Sequence, residues 1–320
     1  SANPIGGQSA ILRLKWGESA EDMIFDNSPK FIKFALGENV KQSNWGSYSR
    51  FPQTRMGVEQ VYTDYFQRAK EYDEKKKSGE PYRHDEEMET LAEILNAERF
   101  ISCHSYVQSE INMMMKVAEK FDFRVNTFTH IWEGYKVADK MAEHGVGGGT
   151  FSDWWAYKYE VKDAIPYNGA VLHNQGVITA FNSDDAEMAR RLNQEAAKAY
   201  KYGRVPEVEA LKFVTLNPAK LLHIDHKTGS LKSGKDADVV VWSDHPLSIN
   251  AKAEQTFVEG VRCFDVDRDL ELREAMRRER ARLTNKMYNA EKSSGAGSLK
   301  RPSERIQSHY HCDTLTDENR

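Results

Sequence analysis

The sequence predicts an α/β fold that is built from repeated βα units. Five short apolar runs alternate with longer amphipathic stretches along the chain, a pattern typical of parallel strands joined by crossover helices. Gly, Pro, Ser and Asp residues stand where one pattern gives way to the next, and such residues supply turns and helix ends. The 320 residues suffice for one large domain or two ordinary ones, at roughly 100–200 residues each.

The individual elements follow from local patterns. Gly37 closes the first predicted strand, and Ser109 is predicted to cap the helix behind the second strand. Either Asp184 or Asp185 is placed to cap the helix behind the fifth strand, which extends to 202. The predicted strands are 31–36, 99–104, 124–130, 146–151 and 177–181. The other predicted helices include 58–77, one that starts near 85 and one through 137–142.

The chain changes character after about residue 225. The segment 228–234 predicts a hairpin, 237–242 a strand and 255–264 a further β-rich piece. A highly charged helix is predicted from 267 to about 290, and the Ser/Gly-rich text from 293 onwards predicts a loose tail. The chain is therefore divided into three segments, 1–224, 225–265 and 266–320.

Composition excludes several classes of protein. The net charge of −4 argues against nucleic acid as the main ligand. No apolar run approaches the ~20 residues that a membrane helix needs. Three cysteines without a CxxC pair form no disulfide framework. The composition leaves the compartment open.

Three predicted strands end at, or just before, a side chain that is able to bind a metal ion. His104 and His130 end the second and third strands, and Asp184 lies just past the fifth. Because catalytic groups of parallel β/α barrels stand at the carboxyl ends of successive strands, these three side chains are expected to converge. Two imidazoles and a carboxylate are a typical ligand set for a divalent cation such as Zn²⁺. Taken singly, each of these three residues can also be interpreted as a hydrogen-bonded residue of the core or rim.

The text 215–222 (TLNPAKLL), followed by Gly229-Ser230-Leu231, Gly234 and 237–241 (ADVVV), resembles the carboxy-terminal end of the metal-dependent amidohydrolase superfamily. The resemblance extends over about residues 3 to 265. Within the superfamily, the chain is similar to imidazolonepropionase and the prolidase-like members. It implies a (β/α)8 TIM-type barrel, only part of which lies in this chain, with a small β-sandwich domain. It also implies one or two divalent metal ions, with Zn²⁺ favoured, and hydrolysis of an amide-type C–N bond by metal-activated water.

The resemblance also implies roles for single residues. His104 and His130 would bind metal, and Asp184 would both bind metal and accept a proton from the attacking water. The strand-four ligand would be Glu38, just beyond the first predicted strand, or Lys33 within it if carboxylated; its position at the carboxyl end favours Glu38. A deamination or phosphotriester hydrolysis on the same scaffold is an alternative reaction.

Two further residues are candidates for substrate binding. Arg55 is able to form a bidentate pair with a substrate carboxylate, and an exposed residue at a helix start is the alternative. Tyr135 follows the His130 position closely enough to reach the same site. A small molecule or a short peptide is the expected substrate.

The chain departs from the family pattern in one respect. The strand-one H-x-H motif is missing from its expected place, and the only H-x-H is His309-Tyr310-His311 in the polar tail. About five strands of a possible eight are predicted, so the chain is expected to require an amino-terminal remainder of the same protein or a complementary chain. A homo-oligomer is also compatible with the sequence. A non-catalytic scaffold or binding subunit is the alternative function.

Overall fold

A computed structural model gives the structure of the protein and describes residues 2–15, 17–25, 27–42, 51–153 and 158–294. Within these residues the chain forms two sheets, one of six strands and one of three. The strands are β1 (Ile5–Ser9), β2 (Lys30–Ala35), β3 (Arg99–His104), β4 (Thr127–Thr129), β5 (Gly147–Thr150), β6 (Thr179–Phe181), β7 (Val239–Trp242), β8 (Ala253–Val258) and β9 (Val261–Asp265).

The larger sheet has the order β1-β2-β3-β4-β5-β6. Strands β2 to β6 are parallel, whereas β1 pairs antiparallel with β2 at one edge. The five predicted parallel strands are confirmed, and with them the mixed α/β class. Strand β1 was not predicted, because its sequence IGGQS has two glycines and no apolar alternation. Closure of the parallel strands into a barrel remains a prediction.

The helices connect these strands in the expected alternation. The helices are α1 (Ala20–Met23), α2 (Glu38–Gln42), α3 (Arg55–Ser78), α4 (Glu86–Leu95), α5 (Gln108–Lys120), α6 (Ala138–His144), α7 (Asn168–Asn174), α8 (Ala186–Ala189), α9 (Leu192–Lys201), α10 (Glu207–Lys212), α11 (Leu216–Leu221) and α12 (Val266–Ser294). Thr54 caps the start of α3, and Gly79 ends it in the left-handed conformation. In the described part of the chain, no helix combines the length and apolar character needed to span a membrane.

The main core lies between α3, α4 and α5 and one face of the sheet. Phe34, Cys103 and Phe128 are paired across β2, β3 and β4 and are fully buried on this face. The Phe66 ring of α3 packs at 6.1 Å from Phe34 and stacks at 4.2 Å on Phe123. Because side chains alternate along a strand, the neighbouring residues Lys33, Ser102 and Thr127 share the opposite face.

A charged cluster stabilises the amino-terminal ends of the parallel strands. Lys30 and Arg99 are the first residues of β2 and β3, and both pair with the carboxylate of Glu93 on α4. Arg99 also donates to the Phe31 carbonyl at 3.0 Å. Burial opposes ionisation of Glu93, but the hydrogen bonds from Lys30 and Arg99 outweigh it and hold the pKa of this carboxyl below its usual value.

Two local predictions are wrong. Ser109 does not cap α5, because the helix already begins at Gln108 with Val107 in the cap position, and the N–H of Gln108 is satisfied by Glu133 Oε2 at 3.0 Å. The segment 228–234 forms turns without a strand ladder; Gly229 and Gly234 adopt φ angles of +84° and +90° there.

Strands β7, β8 and β9 form the smaller antiparallel sheet. Their pairing confirms the two β-rich pieces predicted after residue 225, whereas the β-sandwich and the three-segment division remain predictions. Arg13 joins the amino-terminal segment to this region through ion pairs with Asp236 and Glu259. The predicted charged helix is confirmed as α12. The predicted tail beyond 294 lies outside the described residues.

Candidate functional site

His104 and His130 stand at the carboxyl ends of neighbouring parallel strands. His104 is the last residue of β3, and His130 directly follows β4. His130 adopts a left-handed φ of +63°, and Ile131 after it donates to the Gly149 carbonyl at 3.1 Å. The two imidazole centroids are 5.1 Å apart. The structure thus brings the two predicted histidines together.

Both imidazoles are held neutral by their surroundings. Burial, together with smaller effects of the nearby cations Lys33 and Lys158, lowers the pKa of His130 to about 3. Burial also lowers the pKa of His104 well below its usual value, with additional contributions from His130, Lys33 and Lys158. A neutral imidazole keeps a lone pair, which is the form that binds a cation.

Asp184 joins this pair from the end of β6. Its Oδ2 lies 3.7 Å from Nδ1 of His130. The capping position is taken by Asp185, whose Oδ1 accepts the N–H groups of Glu187 and Met188 at 2.8 and 2.9 Å. This answers the choice that the sequence left open between the two aspartates, and the helix cap does not involve the Asp184 carboxylate.

Buried polar atoms without a hydrogen-bond partner are concentrated at this end of the sheet. In the described part of the chain, every such side-chain atom belongs to a residue at the end of β3 or in a segment that follows β2, β3, β4, β5 or β6. The atoms are Asn39 Nδ2, His104 Nδ1 and Nε2, Ser105 Oγ, Glu110 Oε2, Trp132 Nε1, Glu160 Oε2 and Asn182 Oδ1. Because buried polar groups are normally paired, this distribution makes the rim the candidate site.

Arg55 lies at this rim, where it pairs with two buried carboxylates. Its Nε is 3.1 Å from Glu110 Oε1 and its Nη2 is 3.3 Å from Glu160 Oε1. The same oxygens accept the N–H groups of Gly37 and Glu38 at 3.1 and 2.9 Å. Burial raises the pKa of both carboxyls. The guanidinium thus contacts protein carboxylates, and a contact with a substrate carboxylate remains a prediction.

The backbone conformation of Gly37 is part of this arrangement. Gly37 has a φ of +87°, and an added Cβ would stand 2.7 Å from Glu160 Oε1. Only glycine therefore lets the carboxylate approach the turn after β2 this closely.

Tyr135 occupies a 3₁₀ turn, Gly134–Lys136, beyond His130. Its hydroxyl donates to the Asp163 carbonyl at 3.0 Å, and its N–H donates to Asn168 Oδ1 at 2.8 Å. These contacts hold Tyr135 against Asp163 and Asn168, and a contact with substrate remains a prediction.

The two candidates for the strand-four position are placed differently. Lys33 pairs in register with Ser102, two residues before His104, so its side chain shares a sheet face with His104. Glu38 opens α2, and its N–H donates to Glu160. Within the described residues, no three His, Cys, Asp or Glu side chains form a group that would hold a metal ion. The His309-Tyr310-His311 motif lies outside those residues.

Sequence reasoning missed several groups at the rim. Glu110, Glu160 and Lys158 are among them; Lys158 Nζ is 3.4 Å from Glu160 Oε2 and 4.3 Å from the centre of the Tyr106 ring. No motif marks these residues, since they come from a helix start and a loop. Asn182 could have been predicted as a site residue, because it directly follows β6 and precedes Ser183-Asp184.

Comparison with known proteins identifies the family to which this fold and rim belong. The sequence model of the Amidohydrolase family matches residues 161–266. An amidohydrolase structure from Thermotoga maritima MSB8 is 32% identical with a TM-score of 0.74, over 83% of this chain and 70% of that one. The chain belongs to the amidohydrolase superfamily.

Two curated relatives match different lengths of the chain. Amidohydrolase tasK of Hapsidospora irregularis is 30% identical over 292 residues, which cover 83% of this chain and 30% of the relative. Urease subunit alpha of Yersinia pestis is 36% identical over 109 residues, 28% of this chain and 18% of that subunit. The chain thus spans less than a third of the length of either curated relative.

Proposed function

We propose that the protein is a metal-dependent hydrolase that cleaves an amide-type C–N bond, with His104, His130 and Asp184 at its centre. The carrying observation is His104, which is 1% exposed while neither ring nitrogen has a hydrogen-bond partner among the described residues. An unpaired buried polar group is costly. A cation bound to the ring nitrogen that keeps the lone pair would satisfy one of the two unpaired atoms.

The residue types at this rim support a divalent cation, although no preformed group of three such side chains gathers among the described residues. His104 and His130 offer borderline nitrogen ligands and Asp184 an oxygen ligand, a set that Zn²⁺ favours. Asn182 supports the same reading. Its Nδ2 lies 2.9 Å from His130 Nδ1, while its Oδ1 has no partner. Rotating this amide by 180° would let Oδ1 accept a hydrogen bond from the Nδ1–H of His130, and Nε2 would then keep the lone pair for a ligand.

For the strand-four position we propose Lys33, with Glu38 as the alternative. Lys33 shares a sheet face with His104, and its positive charge lowers the pKa of both histidines. A free ammonium group would repel a cation. Addition of CO₂ to the amine forms an N–C bond and releases a proton, which turns Lys33 into an anionic oxygen ligand. Glu38 would serve without modification, but its backbone is held against Glu160.

The reaction divides into a binding role and a proton-transfer role. A bound divalent cation would polarise the scissile carbonyl and acidify the attacking water. Asp184 accepts the proton of that water at a carboxylate oxygen and returns it to the leaving nitrogen. Its side chain is 31% exposed, so it is accessible to substrate. His104 and His130 stay neutral throughout, because burial keeps their pKa values low.

The same proposal includes the substrate class and the strands that would extend the larger sheet beyond β6. A small molecule or short peptide suits a site at a sheet edge, and the amide-type bond follows from the name amidohydrolase of the relatives. Strand β6 has a neighbour on one side only within the described residues. We propose that strands from an amino-terminal remainder or a complementary chain pair there and add further ligands.

The test is metal content and hydrolysis of the protein expressed together with its upstream segment. His130→Ala is expected to lower both stoichiometric metal and amide hydrolysis, because it removes a ligand from the centre. His311→Ala is the matched control and is expected to change neither. Equal effects from the two substitutions would contradict the site. Wild-type protein that binds no metal and hydrolyses no amide would identify a non-catalytic scaffold instead.

A further inference from the structure

The backbone just after β4 is held in a conformation that most residues avoid. His130 has a φ of +63°, and this left-handed region is unfavourable for a residue with a Cβ. Such a conformation persists only where the surrounding structure imposes it. The groups that fix the turn after β4 therefore also fix the direction in which the His130 imidazole leaves the backbone.

Asn168 supplies two of the hydrogen bonds that fix this turn. It is the first residue of α7 and is fully buried. Its Nδ2 donates to the Ile131 carbonyl at 2.6 Å, and its Oδ1 accepts the N–H of Tyr135 at 2.8 Å. Because a backbone N–H only donates, the bond from Tyr135 also determines which way the amide is oriented. The amide thus joins the two ends of the turn, beginning one residue after His130.

The same amide is anchored to the next strand. Its second N–H donates to Thr150 Oγ1 at 2.9 Å, at the end of β5. Phe151 follows Thr150, and its ring stacks on the His130 ring with centroids 5.4 Å apart and planes 14° apart. Asn168 therefore connects the backbone after His130 to the strand end that carries the stacking partner of His130.

The contacts of Asn168 are those of a group that orients a neighbour. Both of its N–H groups and its Oδ1 bond to protein groups, and its side chain does not reach the surface. It is therefore not placed to contact a substrate. Ligands of a metal site need to be held within about 0.5 Å of their working geometry by such supporting hydrogen bonds.

We propose that Asn168 is a positioning residue, whose amide holds the turn after β4 so that the His130 imidazole stays beside that of His104. The two ring centroids are 5.1 Å apart in this arrangement. The consequence for metal binding rests on the proposed function, whereas the hold on the His130 ring is a property of the chain itself. Two measurements separate these claims.

The first measurement is the NMR signal of the His130 ring in chelator-treated protein that contains ¹³C-labelled histidine, identified by its loss in His130→Gln. The Phe151 ring current shifts this signal away from that of an exposed histidine. Asn168→Ala is expected to move the signal towards the exposed value. Asn217→Ala is the matched control and is expected to leave it in place, because Asn217 is a buried asparagine whose Nδ2 donates to another strand carbonyl, that of Thr179, at 2.8 Å.

A milder pair of variants applies if Asn168→Ala does not fold. Thr150→Val keeps the shape of the side chain but removes the hydroxyl that accepts from Asn168 Nδ2. It is expected to move the His130 signal in the same direction, whereas Thr150→Ser, which keeps the hydroxyl, is expected to restore the wild-type signal. Urea unfolding of every variant shows whether the loss of stability is matched by Asn217→Ala.

The second measurement is zinc affinity, with the chain expressed together with its upstream segment. Asn168→Ala is expected to weaken zinc binding about 10–100-fold, and Asn217→Ala to leave it unchanged. A His130 signal that stays in place in both Asn168→Ala and Thr150→Val, a signal that moves equally in Asn217→Ala, or an unchanged zinc affinity in Asn168→Ala would overturn the proposal. A wild-type protein that binds no zinc would contradict the proposed hydrolase, and the NMR comparison would still decide whether Asn168 holds the His130 ring.

Discussion

Arg55→Met is expected to destabilise the fold, because Arg55 neutralises two carboxylates that are withdrawn from water. The side chains of Glu110 and Glu160 are 3% and 1% exposed, and Arg55 contacts both. Removing one partner of a buried pair costs about 3–5 kcal/mol. Arg55 itself is 42% exposed, so water screens part of the interaction, and we expect a loss of about 2–3 kcal/mol at pH 7.5. Methionine keeps most of the aliphatic packing of the arginine.

The loss in Arg55→Met is expected to shrink at acid pH. Burial raises the pKa of both carboxyls above the value of the unfolded chain, so the folded state binds protons first as the pH falls towards about 4.3. Proton uptake then replaces the missing cation, and the deficit is smaller at pH 5 than at pH 7.5.

Urea unfolding at pH 7.5 and pH 5 measures the deficit of Arg55→Met directly. Arg83→Met, at an exposed arginine, is the control and is expected to leave the free energy of unfolding unchanged. Wild-type stability in Arg55→Met, together with a raised KM for a carboxylate substrate, would refute this reasoning and favour substrate binding by Arg55.

Three further substitutions test the fold. Glu93→Gln is expected to lose about 1–3 kcal/mol at pH 7. Because the pKa of Glu93 is lower in the folded chain than in the unfolded chain, thermal unfolding should show the deficit shrinking as the pH falls below about 4.3 and through the folded-state pKa. Glu98→Gln, at an exposed glutamate, is the control and is expected to leave the stability at pH 7 unchanged. Phe66→Ala removes a fully buried ring and is expected to cost about 3–5 kcal/mol in urea unfolding, against less than about 0.5 kcal/mol for the exposed Met56→Ala. Gly37→Ala, with φ at +87° and a carboxylate oxygen 2.7 Å from the new Cβ, is expected to lose about 2 kcal/mol, and a wild-type melting temperature would contradict that geometry.

The parallel strands were predictable, because their apolar runs are continuous and their ends carry distinctive residues. Strand β3 (Arg99–His104) is observed with the bounds that the sequence predicts. Strand β1 was not predictable, because two glycines within five residues give no strand pattern and the strand depends on pairing with β2. The same limit applies to the start of α5, where a glutamate from a distant loop replaces the predicted serine cap.

The candidate site was predictable only in its strand-end members. His104, His130 and Asp184 each follow an apolar strand, and parallel pairing brings such positions together. Glu110 and Glu160 were not predictable, because their burial depends on long-range packing around Arg55. The choice between Lys33 and Glu38 also depends on strand register, since Lys33 shares a face with His104 only through its pairing with Ser102.

The most direct measurement is an anomalous difference map from crystals of the protein grown with zinc. The account predicts a peak that touches a ring nitrogen of His104 and Nε2 of His130. A peak found only at other residues, with both imidazoles unliganded, would contradict it.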